Sequence, residues 1–247
     1  MEIWPHARTL RLTGDDDRIG VVACHGFTGS VQSIAPWAEA IRSGTGAHVI
    51  CPRLSGHGTR WQDMINVRWQ DWNRDVEQAY AELAARCERV FVAGLSMGGA
   101  LALGLAEHHD VAGVLLVNPA IDSWDPVMKM TGILKHVVAT RPGIASDIAK
   151  PVVSEEGYDT LSVASVAQMI RMWKVVRRSL HQVQAPVILF RSDVDHVVDN
   201  RSHRTILDVL PQAELVRLRN SFHVATLDHD APLIERESVA FIKRAAG

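Results

Sequence analysis

The stretch that decides the fold is Arg-Val-Phe-Val-Ala-Gly-Leu-Ser-Met-Gly-Gly-Ala-Leu-Ala-Leu-Gly-Leu-Ala-Glu-His at residues 89–108. Residues 89–93 carry the continuous apolar, β-branched pattern of a buried strand, and the small and apolar residues 97–108 predict a helix. Between them, Gly94-Leu95-Ser96-Met97-Gly98 matches the pattern G-x-S-x-G. The two glycines permit a very tight turn, which would present the Ser96 hydroxyl at the carboxyl end of the strand.

The predicted position of Ser96 suits a nucleophile. A serine on such a turn is held in strained backbone geometry, with its hydroxyl exposed at the edge of a sheet. It also lies at the N-terminus of a helix, where free N–H groups and the helix dipole favour developing negative charge. The alternative, a chance match on a loop, is disfavoured by the strand before the motif and the helix after it.

The rest of the chain repeats this alternation of strand and helix. Apolar, β-branched runs predict further strands at residues 18–24, 48–52, 113–117, 186–190 and 215–218. Helical periodicity covers residues 68–87 and about 232–246. Strands that are apolar throughout, rather than at every second residue, are buried on both faces. The sequence therefore predicts an α/β fold with a mostly parallel central sheet flanked by helices.

The composition excludes several classes of protein. The 247 residues are 47% hydrophobic and 22% charged with a formal net charge of -2, so there is no electrostatic case for nucleic acid binding. The apolar runs are too short to span a bilayer, and no secretory signal is visible. The widely spaced Cys24, Cys51 and Cys87 are typical of buried apolar positions, so we expect a cytoplasmic protein.

One region interrupts the alternation. Between Pro119 and Pro186 there is no convincing core strand, while residues 162–183 carry apolar side chains at spacings of three and four, which predicts an amphipathic helix. The basic opposite face of this helix indicates a solvated surface or, as a weaker alternative, contact with an anionic membrane. We therefore predict a core formed by residues 1–120 and 185–247, with a small cap inserted at residues 121–184.

A serine nucleophile requires a general base, and the chain has twelve histidines from which to choose. In enzymes with this strand–turn–helix motif, the nucleophile, the acid and the histidine follow one another in that order along the chain. His223 lies directly after the last predicted strand, where this order places the base. His25 and His57 precede the serine in glycine-rich turns, and His196 would face away from the acid beside it.

The acid of the site is expected in the loop after the strand at residues 186–190. The pattern that hydrolases with this motif usually carry at this loop is small-x-x-Asp-x-Val-Val. Ser192 aligns with its small residue and Asp195 with its acid, which favours Asp195 over Asp193. The other aspartate would then occupy a turn or cap the next helix. Asp122, which follows the strand that ends near Asn118, is a reserve candidate.

Acyl transfer through Ser96 also requires two backbone N–H groups that point at the oxyanion. One is the N–H of Met97, directly after the nucleophile, and the other comes from the loop after an early strand. That loop is His25-Gly26-Phe27-Thr28-Gly29, in which Phe27 is the expected donor. The patterns H-E-x-x-H, C-x-x-C and G-x-G-x-x-G are missing from the sequence, so we expect no metal and no cofactor.

Together these residues resemble the α/β-hydrolase superfamily over nearly the whole chain. More specific segments resemble the bacterial monoacylglycerol lipase and thermostable carboxylesterase group; they are residues 25–29, 52–59, 94–99, 195–198 and 221–228. The resemblance implies a triad of Ser96, Asp195 and His223, oxyanion N–H groups at Phe27 and Met97, and a small mobile cap. It also implies a serine hydrolase that cleaves carboxylic esters, with monoacylglycerols as the favoured substrates.

Other functions of the same scaffold stay open at this point: a thioesterase, a lactonase, a C–C hydrolase, an acyltransferase or a non-catalytic ligand-binding protein. The expected partner is a small-molecule ester or monoacylglycerol, without nucleic acid and with at most transient contact between the cap and a membrane or lipid surface. The cap itself matches no motif. Tyr158 and Asp159 could meet a glycerol head group, although ordinary surface positions are favoured.

Overall fold

The computed structural model describes residues 2–134, 138–143 and 146–247. The strands of these ranges are β1 Leu10–Leu12, β2 Ile19–Cys24, β3 His48–Cys51, β4 Arg89–Leu95, β5 Gly113–Val117, β6 Thr140–Pro142, β7 Thr160–Ser162, β8 Val187–Ser192 and β9 Glu214–Leu218. The α-helices are α1 Ala35–Thr45, α2 Trp69–Ala84, α3 Met97–Ala106, α4 Pro126–Leu134, α5 Val163–Ser179, α6 Arg201–Val209 and α7 Ala231–Ala246. Short 3-10 helices lie at Pro5–Ala7, Val31–Ser33, Trp61–Met64, Leu180–Gln182 and Ala225–Leu227.

Seven strands form the central sheet in the order β1-β3-β2-β4-β5-β8-β9. Strand β1 runs antiparallel to β3 at one edge, and every other pair in this sheet is parallel. The predicted α/β fold with a mostly parallel sheet is therefore confirmed. Strand β4, which leads into Ser96, lies at the middle of the sheet between β2 and β5.

The continuous apolar pattern of the inner strands has the expected consequence. All residues of β2, β3 and β5 are buried, as are all residues of β4 except Arg89. Their side chains divide between two core clusters, one of which includes α2, α3 and α5 and the other α1 and α7. The site is thus built on strands that are packed on both faces, which fixes the loops at their carboxyl ends.

The chain between β5 and β8 contains α4, α5 and a small two-stranded antiparallel sheet formed by β6 and β7. Helix α5 packs against α3, and its apolar side chains belong to the same core cluster as β4 and β5. The division into a core of residues 1–120 and 185–247 and a cap of residues 121–184 stays a prediction. Residue 1 of that core and residues 135–137 and 144–145 of that cap lie outside the described residues.

The three cysteines are buried, unpaired thiols, as the sequence predicts. Burial raises the pKa of the Cys24 thiol to about 12 and also raises the pKa of Cys51. In the part of the chain that the structure describes, no helix combines the length and the apolar character needed to cross a bilayer.

Candidate active site

Ser96 occupies the turn between β4 and α3 with a φ of 56° and a ψ of -119°. A positive φ costs free energy for a residue with a side chain and persists where the surroundings enforce it. The Ser96 N–H donates to the carbonyl of Val117 at 3.0 Å, and the Ser96 carbonyl accepts from the N–H of Ala120 at 3.0 Å. Hydrogen bonds to the end of β5 and to the loop that follows it therefore hold the strained turn.

The two glycines of the motif are required by contacts within the backbone. A Cβ added to Gly94 would lie 2.1 Å from the carbonyl oxygen of Gly98. A Cβ added to Gly98 would lie 2.1 Å from the carbonyl oxygen of Cys24 in β2. Both distances are far shorter than a van der Waals contact. Glycine is therefore required at both positions, because α3 lies so close to the sheet.

The loops after β8 and β9 bring Asp195 and His223 together. Nδ1 of His223 lies 2.8 Å from Oδ2 of Asp195. The other carboxylate oxygen of Asp195 accepts the N–H groups of Val197 at 2.9 Å and Val198 at 2.8 Å. These bonds fix the carboxylate, and the carboxylate in turn fixes the orientation of the imidazole.

Opposite charges shift the pKa values of this pair apart. Burial lowers the pKa of His223, but the nearby carboxylates of Asp195, Glu155 and Asp147 outweigh it, and the net shift is upward from 6.5. Burial opposes ionisation of Asp195, but the charge and hydrogen bond of His223 and the two amides hold its pKa below 3.8. The arrangement thus favours an ionised Asp195 beside an imidazole that takes up a proton readily.

The other two candidate acids take part in different ion pairs. Asp193 faces Arg217, with nitrogen–oxygen distances of 2.8 Å and 3.0 Å. Asp122 accepts from Nε of Arg201 at 2.6 Å and lies 3.4 Å from Nη1 of Arg177. Of the three candidates, Asp195 is the one that contacts the ring of His223.

Carboxylates also hold the backbone of the loop that carries His223. Three backbone N–H groups of this loop each donate to a carboxylate. Asn220 donates to Asp230 at 2.7 Å, Phe222 to Asp228 at 2.9 Å, and His223 to Asp147 at 3.1 Å. Asp228 is 1% exposed, and it also accepts the N–H groups of Ala149 and Lys150 in the segment before β7. The position of the candidate base therefore depends on hydrogen bonds to these three carboxylates.

The glycine-rich loop after β2 lies against Ser96, since a Cβ added to Gly26 would be 3.4 Å from the Ser96 Cβ. His25 is fully buried and fixes this loop. Its Nε2 accepts the N–H of Leu54 at 3.3 Å, so its proton lies on Nδ1, which is 2.9 Å from the Gly26 carbonyl. Burial lowers the pKa of His25 to about 4, which makes it a neutral structural residue.

The backbone N–H groups of Phe27 and Met97 are free to bind an anion. Among the described residues, neither group donates a hydrogen bond. Met97 is the first residue of α3, and Phe27 lines the cavity in front of Ser96. The two residues predicted as oxyanion donors therefore flank the candidate nucleophile.

A cavity of about 420 Å³ joins these groups, and Ser96, Asp195 and His223 all line it. The chain between β5 and β8, the inserted region, supplies both apolar and acidic parts of its lining. The apolar residues are Met128, Leu161, Val166, Met169 and Trp173, and the acidic ones are Asp122, Asp125, Asp147 and Glu155. A space of this size and polarity suits a small ligand that combines an apolar body with a polar reacting group.

Glu155 also lines the cavity, and the sequence reasoning missed it. Burial raises its pKa to about 7, although the nearby His223 acts in the opposite direction. Its Oε1 lies close to the glycine-rich loop after β2, because a Cβ added to Gly29 would be 2.4 Å from that oxygen. Glu155 stands beside Glu156 in a segment without a motif, and nothing in that pattern indicates a buried acid.

The expectation for Tyr158 as a surface residue is wrong. Its side chain is 4% exposed, and its ring packs against His57 and Trp4. Its hydroxyl donates to the carbonyl of Gly56 at 2.8 Å and accepts the N–H of Thr59 at 3.0 Å. Tyr158 therefore attaches the inserted region to the glycine-rich turn at residues 52–59, whereas Asp159 is exposed.

A search of the described residues finds no group of three or more His, Cys, Asp or Glu side chains that could hold a metal ion. The groups that the site brings together are the hydroxyl of Ser96, the imidazole of His223, the carboxylates and the backbone N–H groups. Such a set can carry out proton transfer, nucleophilic attack and stabilisation of an oxyanion.

Comparison with known proteins places this geometry in a family context. Residues 15–230 match the model of a family described as "Serine aminopeptidase, S33". The chain is 41% identical to the thermostable monoacylglycerol lipase of Bacillus sp. (strain H-257) over 232 residues, which are 93% of this chain and 92% of that protein.

Solved structures show the same similarity. A structure from work on LipS and LipT, two metagenome-derived lipolytic enzymes, superposes with a TM-score of 0.93 at 36% identity and covers 98% of this chain and 100% of its own. The monoacylglycerol lipase of Paleococcus ferrophilus superposes with a TM-score of 0.78 at 17% identity, covering 99% and 100% of the two chains. At that identity the likeness concerns the fold.

Proposed function

Since the chain belongs to the serine aminopeptidase S33 family, we propose that it hydrolyses carboxylic esters through an acyl-enzyme on Ser96, with monoacylglycerols as the favoured substrates. The expected α/β-hydrolase membership and the expected class, a lipase- or esterase-like hydrolase, are confirmed. The observation that carries the assignment of the site is the contact of 2.8 Å between His223 and Asp195 beside the cavity that Ser96 lines.

In the first half of the proposed reaction, the Ser96 hydroxyl attacks the ester carbonyl while Nε2 of His223 takes its proton. Asp195 holds the proton of Nδ1 and stabilises the imidazolium that forms. The tetrahedral intermediate then collapses, the bond to the alcohol oxygen breaks, and His223 gives its proton to the departing alcohol. In the second half, a water molecule that loses its proton to His223 attacks the acyl-enzyme. The bond between the acyl carbon and Ser96 Oγ then breaks, His223 returns its proton to Oγ, and the carboxylic acid leaves.

The N–H groups of Phe27 and Met97 are the proposed donors to the oxyanion in both halves. Loss of one such donor costs roughly 3 kcal/mol of barrier in comparable sites. Because both donors are backbone groups, side-chain replacement at these positions removes neither of them. Their placement depends instead on His25 and on the close approach of Gly98 to β2.

Three observations support an acyl chain as the group that fills the cavity. Part of the cavity wall is an apolar patch of Met128, Leu161, Val166, Met169 and Trp173, the related Bacillus protein is a monoacylglycerol lipase, and the related metagenome-derived protein is lipolytic. The family description names a peptidase, and an aminopeptidase needs an anionic partner for the substrate ammonium group. Glu155 is one of several acids in the cavity that could supply it, so peptide substrates form a necessary arm of the test.

The first test uses p-nitrophenyl butyrate and the substitution Ser96→Ala. We expect turnover by the intact protein and a fall in kcat of about 10⁵-fold or more in the variant, because the nucleophile is lost. The substitution Ser43→Ala on the exposed surface of α1 is the matched control and should leave kcat unchanged. Equal turnover by Ser96→Ala and the intact protein would contradict the proposal.

The second test separates the substrate classes. We expect release of fatty acid from glycerol monooleate, little release from the dioleate, and no release of p-nitroaniline from alanine p-nitroanilide. Preferred turnover of the anilide would assign the chain to the peptidase activity that its family description names.

We also propose transient contact between the cap and a lipid surface. Helix α4 exposes Val127, Met130 and Ile133 at a spacing of three residues, so that they share one face, and Ile133 is 70% exposed. Such a face can enter the boundary of a micelle or membrane without crossing it.

For the compartment we propose the cytoplasm, since three unpaired thiols suit reducing conditions, and fractionation of expressing cells tests it.

A further inference from the structure

Asp147, in the segment before β7, is bonded to the loop of the candidate base at two consecutive residues. Its Oδ2 accepts the N–H of His223 at 3.1 Å, and its backbone carbonyl accepts the N–H of Val224 at 3.0 Å. The acceptor and its donors are separated by more than 70 residues in sequence, so these bonds form between the inserted region and the core.

The same carboxylate is bonded to the loop of the candidate acid. Oδ2 of Asp147 accepts the N–H of His196 at 3.2 Å, and Oδ1 lies 2.8 Å from Nδ1 of the His196 ring. The Asp147 side chain is 13% exposed and lines the cavity. One partly buried carboxylate thus connects the residue after Asp195 with the backbone of His223.

We propose that Asp147 is a positioning residue for the hydrolytic reaction, which sets the His223 ring in register with both Ser96 and Asp195. The inference rests on the proposed function, because the position of His223 matters for activity when His223 is the base. The geometry favours this role over a general contribution to folding, since both loops that Asp147 connects carry members of the proposed triad. Small displacements of catalytic groups are costly: about 100-fold in rate for a shift of 1 Å.

Electrostatics gives the role a signature that a purely structural residue would lack. Three carboxylates face His223: Asp195 from the loop after β8, and Glu155 and Asp147 from the inserted region. Each of them raises the pKa of the imidazole, against the effect of burial. Removal of the charge of Asp147 should therefore lower the pKa of His223 and move the acidic limb of the pH–rate profile to lower pH.

The experiment compares the intact protein with Asp147→Asn, in which one carboxylate oxygen becomes an amide nitrogen that cannot accept a hydrogen bond. Asp208→Asn on the exposed surface of α6 is the matched control, since it changes the net charge equally. Turnover of p-nitrophenyl butyrate is measured across pH. The Nδ1 proton of His223 is followed by NMR as an independent readout that does not depend on turnover.

We expect Asp147→Asn to lower kcat by about 10-fold to 100-fold at a nearly constant KM, and to move both the acidic limb and the NMR titration of His223 to lower pH. Asp208→Asn should change neither. An unchanged kcat and titration in Asp147→Asn, or a lower thermal midpoint without a shift of the titration, would overturn the positioning role.

If Asp147→Asn does not fold, Asp147→Glu keeps the charge and displaces the acceptor. It should then fold, keep the titration of His223 near that of the intact protein and lose kcat. A normal kcat in Asp147→Glu would overturn the proposal. Failure of the proposed function is recognised separately, because the intact protein would then hydrolyse no ester.

Discussion

The turn that carries Ser96 and the loop that carries His223 line one cavity, yet different forces hold them. The turn is fixed by close contacts between backbone atoms: a Cβ added to Gly94 or Gly98 would meet a carbonyl oxygen at 2.1 Å. The loop is fixed by the buried carboxylates of Asp230 and Asp228 and the partly buried carboxylate of Asp147, each of which accepts one of its backbone N–H groups.

This difference separates two ways of positioning a reactive group. Steric positioning depends on the absence of side-chain atoms, so any larger residue disrupts it and neutralising a nearby charge has little effect. Positioning by carboxylates depends on charge and hydrogen-bonding capacity, so an isosteric amide is enough to weaken it. The following substitutions test this contrast, in decreasing order of expected effect.

Asp195→Asn should have the largest effect, with a fall in kcat of about 10⁴-fold. The amide leaves the geometry nearly unchanged but stabilises the wrong tautomer and no longer stabilises the imidazolium. Asp193→Asn is the matched comparison, because Asp193 pairs with Arg217 on the surface, and it should stay within about 2-fold of the intact protein. Steady-state kinetics with p-nitrophenyl butyrate measures both, and a larger loss in Asp193→Asn would move the acid to that residue.

Gly98→Ala should affect the steric side of the comparison. The added methyl would lie 2.1 Å from the Cys24 carbonyl, so α3 must move away from β2, which we expect to cost about 1–3 kcal/mol of unfolding free energy and about 100-fold in kcat. Gly104→Ala in the same helix is the control, because its methyl would meet only Val176 at 3.5 Å. It should raise stability by about 0.5–1 kcal/mol. Chemical denaturation tests both, and equal effects would mean that the close approach has no energetic importance.

Asp228→Asn should have the smallest effect of the three, because it lowers stability without the large loss of kcat expected for Asp195→Asn and Gly98→Ala. Asp228 accepts four backbone N–H groups, those of Ala149, Lys150, Phe222 and His229, and an amide can accept at only one of its two terminal atoms. We expect a loss of about 1–3 kcal/mol in unfolding free energy, measured by denaturation against the exposed control Asp208→Asn. An unchanged midpoint would show that solvent replaces these bonds without cost.

The same contrast explains which parts of the molecule could be predicted from sequence. Strands β2, β4 and β5 and the turn at Ser96 follow from local patterns, because burial on both faces and a tight turn each restrict the residues of one short segment. Strand β1 and helices α1 and α6 lacked a strong enough pattern and were missed. The edge position of β1, with its half-polar sequence, removes the continuous apolar signal of the inner strands.

The site divides in the same manner. Ser96, Asp195 and His223 lie directly after strands, where motif and chain order indicate candidates. Asp147 and Glu155 lie in a segment whose approach to the core depends on contacts across long separations, and an acid outside any motif is most often solvated. Tyr158 was placed at the surface for the same reason, since its stacking partner His57 is about 100 residues away in sequence.

The buried cysteines have a practical consequence for measuring motion. Thiolates are the reactive form, and burial raises the pKa of Cys24, Cys51 and Cys87 while keeping reagents away from their sulfur atoms. We therefore expect the cysteines of the folded protein to react very slowly with maleimide labels. In a variant with both Ile133→Cys on α4 and Val209→Cys on α6, two exposed positions, a donor and an acceptor dye would attach at these sites. Energy transfer between the dyes would then follow the distance between α4 and α6 during turnover.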